Sequence, residues 1–348
     1  MVAARGHGEN PLARATTLTA LFLLAYAGLG QESTVPTLRS ASTLVAVPAL
    51  VRLPTGELVK DLDADRFQLF DDGAPQKLTL ERTEKQPIAV VILMQTGGQA
   101  PAEFETYRNL PRLVDSIIGD SVHEIMLVTF DSKIRATWSF PPRSDGVTYA
   151  LTHPIAGDDG AAVLDATNYV LGLFQQEPGN FRRIVLLLSQ SMDNGSTTSA
   201  EEVVRHLGES STSVYCLTFL PRKASPQFRS KTQAATPQRK QPASADRRHR
   251  AVDLATPLGQ ALRSMETDTA ETVATLSGGE QLKFRDQTDF EQQWSVIADD
   301  LHNRYLLSFQ PNSHRPGFHT LTMHVAGQRT LRVTARTSYW FDAGATGK

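Results

Sequence analysis

The sequence predicts an α/β fold: a mainly parallel, doubly wound sheet with helices on both faces. A small antiparallel β-sandwich, built from the N- and C-terminal segments, accompanies it. Three observations lead there. Pro87 to Leu93 is an unbroken apolar run rich in β-branched residues, the pattern of a strand buried on both faces of a parallel sheet. From Ile88 onward such runs alternate with segments of helical spacing, which the crossovers of a parallel sheet require. On either side of that region apolar and polar residues alternate, as in half-buried strands.

Taken in order, residues 1–30 read as an export signal. Arg5 and Arg14 mark a long n-region, Leu18 to Leu29 is an apolar core of 12 residues, and Gly28-Leu29-Gly30 offers small residues for cleavage before Gln31. Such a core is shorter than the roughly 20 residues a membrane-spanning helix needs. An uncleaved N-terminal anchor is the competing reading. No cysteine lies nearby for lipid attachment, and the mature chain is expected to hold no transmembrane helix.

Residues 31–84 form an N-terminal β segment. Thr43 to Arg52 reads as a strand, Pro54-Thr55-Gly56 as a turn, and Arg66 to Phe70 as a half-buried strand. Asp71-Asp72-Gly73 signals a hairpin because Gly accepts the positive φ of such turns, and Gln76 to Glu81 alternates again. Together they are expected to make one small antiparallel sheet.

Residues 85–303 carry the α/β pattern. Strands are expected at Ile88–Met94, His123–Phe130, Ile134–Phe140 (an edge), Phe181–Ser189, Ser213–Phe219 and Gln281–Phe284. Helical spacing covers Phe104–Ile118, Val163–Phe174, Ala200–Leu207, Thr256–Leu276 and Phe290–Asn303. An insert over 221–253 interrupts them. Its Pro221–Arg250 portion carries Arg222, Lys223, Arg229, Lys231, Arg239, Lys240, Arg247, Arg248 and Arg250 against Asp246 alone. With four prolines and almost no large apolar residues it is expected to be a mobile cationic loop. Residues 304–341 return to β, with strands at Tyr305–Phe309, Phe318–Val325 and Thr330–Ala335 and turns at Pro316-Gly317 and Gly327. Each flanking β segment would be marginal alone, so the two are expected to pack together.

Composition excludes little. The chain has 348 residues and a net charge of −2, which argues neither for nor against a polyanionic partner. Cys216 is the single cysteine, so no internal disulfide can form, and its strand-like setting reads as a buried thiol. No nucleophile elbow, P-loop, dinucleotide fingerprint or zinc spacing occurs. Histidines are scattered. His319 and His324 differ by an odd number and face opposite sides of one regular strand, which defeats a paired-ligand reading.

Several segments together resemble a known family. Phe67 to Lys77, Met126 to Asp131, Arg182 to Ser189, Tyr305 to Pro311 and Val333 to Arg336 resemble exported bacterial VWFA-related proteins of the acidobacterial type, related to the von Willebrand factor A (VWA) domain. The resemblance spans nearly all of residues 40–341 and implies a Rossmann-like VWA fold. It also implies a metal-ion-dependent site (MIDAS) in three loops at one end of the sheet: Asp-x-Ser-x-Ser in the first, a Thr in the second, an Asp in the third. Here those positions hold Gln95, Gly97 and Gln99, then Ala161, then Gln190. No carboxylate or hydroxyl is left at any of them, whereas Mg²⁺ needs hard oxygen ligands. The resemblance therefore implies a degenerate site without metal or other cofactor.

The candidate ligand-binding residues are those of the three loops: Gln95, Thr96, Gly97, Gly98 and Gln99; Asp158, Asp159 and Ala161; Gln190, Ser191 and Asp193. Gln95 and Gln190 have two readings that can hold together. Their amides fill the vacated cavity by bonding each other and loop backbone, or they face a protein partner. Asp158, Asp159 and Asp193 read as solvated acids, with Asp158/Asp159 as caps of the following helix, rather than as a displaced Ca²⁺ site. Asp165 is assigned a structural role within that helix. Replacing Gln95→Asp, Gly97→Ser, Gln99→Ser, Ala161→Thr and Gln190→Asp together is expected to create a Mg²⁺ response. The function expected is an exported, non-catalytic protein-binding or adhesion module, secreted or held in the periplasm or cell envelope, with a protein or cell-surface ligand and no nucleic acid. One alternative is polyanion or envelope-surface binding through 221–250. Another is an enzyme whose site assembles only in space.

Overall fold

The computed structural model describes residues 44–81, 87–119, 122–140, 146–176, 181–220, 255–328 and 330–342. The expected export signal and cationic insert lie outside them. The central sheet has six strands: β5 (Ile88–Gln95), β6 (His123–Phe130), β7 (Ile134–Trp138), β8 (Arg182–Ser189), β9 (Thr212–Phe219) and β10 (Gln281–Phe284). Their order is β10-β9-β8-β5-β6-β7, parallel throughout except for the antiparallel edge strand β7.

All eight residues of β5 are buried, as expected of a strand covered on both faces. Its alternate residues divide between two cores. Ile88, Val90, Ile92 and Met94 pack with residues of α1 (Leu110–Ile118), α2 (Val147–Thr152) and α7 (Gln287–His302). Ala89, Val91 and Leu93 pack with α3 (Val163–Gln176), α4 (Ala200–Glu209), α5 (Pro257–Thr267) and α6 (Thr269–Ser277). The helical stretch expected over Thr256–Leu276 is thus two helices. Asp268 separates them and caps the second, accepting from the Glu271 amide at 3.0 Å. The stretch expected over Phe104–Ile118 is helical in two steps, a 3-10 turn at Thr106–Asn109 leading into α1.

The flanking segments form two four-stranded antiparallel sheets: β13 (Arg332–Ala335), β1 (Val45–Arg52), β11 (Tyr305–Phe309) and β4 (Leu78–Glu81), and β14 (Ser338–Phe341), β12 (Gly317–Val325), β2 (Phe67–Asp71) and β3 (Ala74–Gln76). One expectation is corrected here. The N-terminal segment makes no sheet of its own: β1 and β4 lie in one sheet, β2 and β3 in the other, and C-terminal strands complete each. Residues of both sheets share an apolar interior, including Val47, Leu69, Phe309, Leu321 and Tyr339. The β2–β3 hairpin turns on Asp72 (φ +47°) and Gly73 (φ +84°), the paired positive φ of a tight two-residue loop.

Buried charge joins the sandwich to the α/β core. Asp300 on α7, 1 % exposed at its side chain, pairs with Arg52 of β1. Burial pushes its carboxyl up to about 6, against the lowering pull of Arg52 and Arg304. Since this value exceeds that of an unfolded chain, the group's contribution to stability is present below about pH 4 and is lost as pH rises through about 6. Between pH 4 and 7 the unfolding free energy of the wild type should therefore fall more steeply than that of Asp300→Asn, by up to about 3 kcal/mol. Parallel profiles in urea titrations would exclude this assignment. Among the described residues, no helix is long and apolar enough to cross a membrane.

Candidate functional site

Three loops meet at the carboxyl ends of β5, β6 and β8, the edge where open α/β sheets place ligands. They are tied backbone to backbone. The Gly98 amide donates to the Asp158 carbonyl at 2.7 Å, and the Gly157 amide to the Thr96 carbonyl at 2.9 Å. Ala161 and Asn194 exchange two bonds of 2.9 and 2.8 Å, joining the second loop to the third. The loops assigned from the sequence are thus brought together.

At the centre sit the two amides. Gln95 is fully buried at the end of β5. Its Oε1 accepts from the Gln190 amide N–H at 2.8 Å, and its Nε2 donates to the Gly97 carbonyl at 2.9 Å and to Gln190 Oε1 at 3.3 Å. Gln190 Nε2 donates to the Met192 carbonyl at 2.8 Å. The amides bond each other and the loop backbone, as the first of the two readings expects. Gln95→Ala would leave the Gln190 N–H and the Gly97 carbonyl without these partners. We expect a loss of about 1–3 kcal/mol in urea denaturation. A loss under 0.5 kcal/mol, the ordinary scatter of surface changes, would count against the arrangement.

Beside the amides lies a residue the sequence singled out only as the end of a motif. Asp131, fully buried just past β6, accepts from the Asp158 amide at 3.1 Å and the Lys133 amide at 3.2 Å, and pairs with Arg135 at 3.2 Å. Gly157 passes so close that a Cβ there would meet the Asp131 carboxylate, which explains the absence of a side chain. A carboxylate immediately after a buried strand was the available signal.

Asp158, Asp193 and Asp165 are also committed, Asp158 otherwise than expected and Asp165 in the structural role expected of it. Asp158 does not cap α3. It accepts from the Ser132 amide at 3.0 Å, the Ser132 hydroxyl and the Gly160 amide at 2.9 Å. The Ser132 hydroxyl, then the Gly160 and Ser132 amides, hold this exposed carboxyl below the usual range. Asp193 of the third loop caps α3 instead, accepting from Leu164 N–H at 3.0 Å and Ser196 Oγ at 2.5 Å. Asp165, in the first turn of α3, accepts from the Thr197 and Thr198 amides at 3.0 and 2.7 Å. Burial acts to raise its carboxyl, but the bonds from Thr198 and Thr197 outweigh it and leave the value lowered.

The candidate residues therefore separate by depth. Gln95, Thr96, Gly97 and Ala161 lie beneath the surface. Gly98, Gln99, Asp158 and Asp159 are exposed, and Gln190, Ser191 and Asp193 half-buried. Met192 (41 % exposed) and Asn194, within the third loop Gln190–Gly195, join the rim. The five-residue exchange toward a metal site also meets a steric objection. A Cβ at Gly97 would fall within 2.6 Å of Asp131 Cβ and the Asp158 carbonyl, and nearer still to the Gly160 carbonyl. The thiol of Cys216 is buried and donates to the Ala270 carbonyl at 3.3 Å, and burial pushes it up.

The strand order, the antiparallel edge strand and the two covered faces are those of a doubly wound, mainly parallel α/β fold. No family model matches the sequence, and no curated protein does. Similar solved structures include an aerotolerance-related membrane protein from Bacteroides fragilis NCTC 9343, at 14 % identity over 62 % of this chain and 98 % of that one, TM-score 0.38. A von Willebrand factor type A protein from Catenulispora acidiphila matches at 10 % identity over 88 % and 76 %, TM-score 0.40. The pilus adhesin SpaC from Lactobacillus rhamnosus GG matches at 10 % identity over 84 % of this chain and 41 % of its own, TM-score 0.41.

Proposed function

We propose that this chain is an exported, non-catalytic binding module that takes a protein or cell-surface ligand on the rim formed by Gly98, Gln99, Asp158, Asp159, Met192 and Asn194, without a metal bridge. The observation that carries the reading is the interlocked centre. Gln95 Oε1 is spent on the Gln190 N–H at 2.8 Å, and its Nε2 on the Gly97 carbonyl. The residues at the five metal positions do not fit a hard dication, because none brings the charge needed to offset dehydration of Mg²⁺. A rigid floor with a mixed polar rim suits contact with a preformed surface, since little ordering is lost on binding. Export rests on the N-terminal signal pattern.

The test is binding of the labelled mature chain to the native envelope fraction. Binding should persist in chelator and should fall at least tenfold in the double variant Gln99→Arg, Asp159→Lys. Release by chelator, or undiminished binding by the double variant, would sink the proposal. In thermal denaturation, millimolar Mg²⁺ should leave the midpoint unchanged, because a native-state ligand would raise it.

A second reading has its own observation, the nine cationic side chains of 221–250. They favour an anionic polymer or lipid surface with strong salt dependence. Deleting 221–250 would abolish envelope binding under this reading and leave it intact under the first.

A further inference from the structure

We propose that Asp71, Asp72 and His319 form a binding site for a divalent transition-metal ion of the zinc class. The site lies in the β-sandwich, outside the rim. Asp71 ends β2, Asp72 opens the hairpin turn after it, and His319 lies on the neighbouring strand β12. His319 and Asp71 are each 1 % exposed at the side chain, and Asp72 is 33 % exposed, which leaves one side open to solvent.

His319 Nε2 lies 2.7 Å from the Arg315 carbonyl oxygen, an acceptor, so that nitrogen carries a hydrogen. The other nitrogen, Nδ1, lies 3.1 Å from Asp71 Oδ1 and 3.1 Å from Asp72 Oδ2. A lone pair aimed at two carboxylate oxygens is repulsive, so a positive centre belongs between the three atoms. It is a proton or a metal ion.

The surroundings favour the ion. Every atom facing away from the triangle is already held. Tyr339 Oη donates to Asp71 Oδ2 at 2.8 Å, and the Thr320 amide and hydroxyl donate to Asp72 Oδ1 at 2.9 and 3.0 Å. This is the outer ring of hydrogen bonds that orients metal ligands, including the carbonyl-held imidazole. The tyrosine ring stacks on the imidazole at 4.7 Å and fixes its plane. A tetrahedral zinc ion with bonds of about 2.0–2.1 Å sets its ligand atoms about 3.3 Å apart; Nδ1 lies 3.1 Å from each carboxylate oxygen, and all three atoms lie within 4.8 Å of one another. One nitrogen and two carboxylates form a donor set suited to Zn²⁺ or Co²⁺ and poorly suited to Mg²⁺. Arg315, 64 % exposed, contacts Asp72 Oδ2 at 2.5 Å and would swing to solvent as the ion takes that oxygen.

The test uses the full mature chain stripped with chelator. Titration with Co²⁺ should give one equivalent bound with the visible absorption of a low-coordinate ion. Zn²⁺ should displace it and raise the thermal midpoint, while Mg²⁺ should do neither. His319→Gln should weaken Co²⁺ binding at least tenfold. Asp72→Asn, a change at a half-exposed turn residue, should do the same in a chain that still unfolds cooperatively. Absence of one-equivalent binding, or binding unchanged in both variants, overturns the proposal. Failure here leaves the rim reading untouched, because none of these residues belongs to it.

Discussion

Arg336→Met should destabilise the protein by roughly 3–5 kcal/mol, because it takes the donor from several buried carbonyls at about 1–3 kcal/mol each. Arg336 lies between β13 and β14 and is 4 % exposed. Its Nε donates to the Ser338 carbonyl at 2.9 Å, Nη1 to the Ser210 carbonyl at 3.1 Å, and Nη2 to the Leu207 carbonyl at 3.1 Å. Leu207 and Ser210 stand at the carboxyl end of α4, where carbonyls lack helical partners and a cation meets the negative end of the helix dipole. Burial pushes the guanidinium down to about 10, so it stays charged at neutral pH. Methionine fills part of the volume but satisfies none of the carbonyls. Lysine should recover less than half of the loss, because one ammonium cannot span carbonyls on opposite sides of a planar fork. Urea denaturation of the three proteins decides the matter. A Met variant within 1 kcal/mol of wild type would mean that water replaces the guanidinium.

Gly97→Ser, beneath the rim, should cost about 2–3 kcal/mol. The atoms its Cβ would meet are the Asp158 and Gly160 carbonyls and Asp131 Cβ. They cannot move alone. Asp158 is held by the Gly98 amide at 2.7 Å, and the Asp131 carbonyl accepts from the Ala162 amide at 2.7 Å. Relief of the clash therefore has to lift the loop of residues 157–160 off the sheet edge. Gln99→Ser, two residues on and exposed, should stay within about 0.5 kcal/mol. Proteolysis of the loop should accelerate in Gly97→Ser and not in Gln99→Ser. Equal stability of the two would show that the loop accommodates a side chain at 97.

These two residues show where the sequence was and was not legible. Gly97 was singled out through a family resemblance, as one of five positions expected to lack a metal ligand, and Gln95 and Gln190 as amides able to satisfy each other. What could not be read was that the second loop packs onto Gly97 itself, because residues 97 and 160 communicate only through the folded sheet. Arg336 was seen only as the end of a β motif. Its helical partners lie at the carboxyl end of α4, with Ser210 lying 126 positions away in the chain. Asp131 and Asp193 were similarly visible as acids near the strand ends. Which one pins a loop and which one caps α3 depended on how closely the loops approach.

The sequence alone determined the periodic elements, since the spacing of apolar residues reports which faces are buried. His123–Phe130, Gln281–Phe284 and Tyr305–Phe309 have the bounds the sequence predicts. It also shows directly that Gln95, Gly97, Gln99, Ala161 and Gln190 carry no carboxylate. Tertiary structure decided everything that depends on distant partners. It divided β1 to β4 between two sheets and set Gln95 against Gln190 across 95 positions. It brought Asp71 to His319 across 248. Periodicity is a local property of the chain. Convergence of side chains is set by strand order and register, which arise only when distant segments bury their apolar faces against one another.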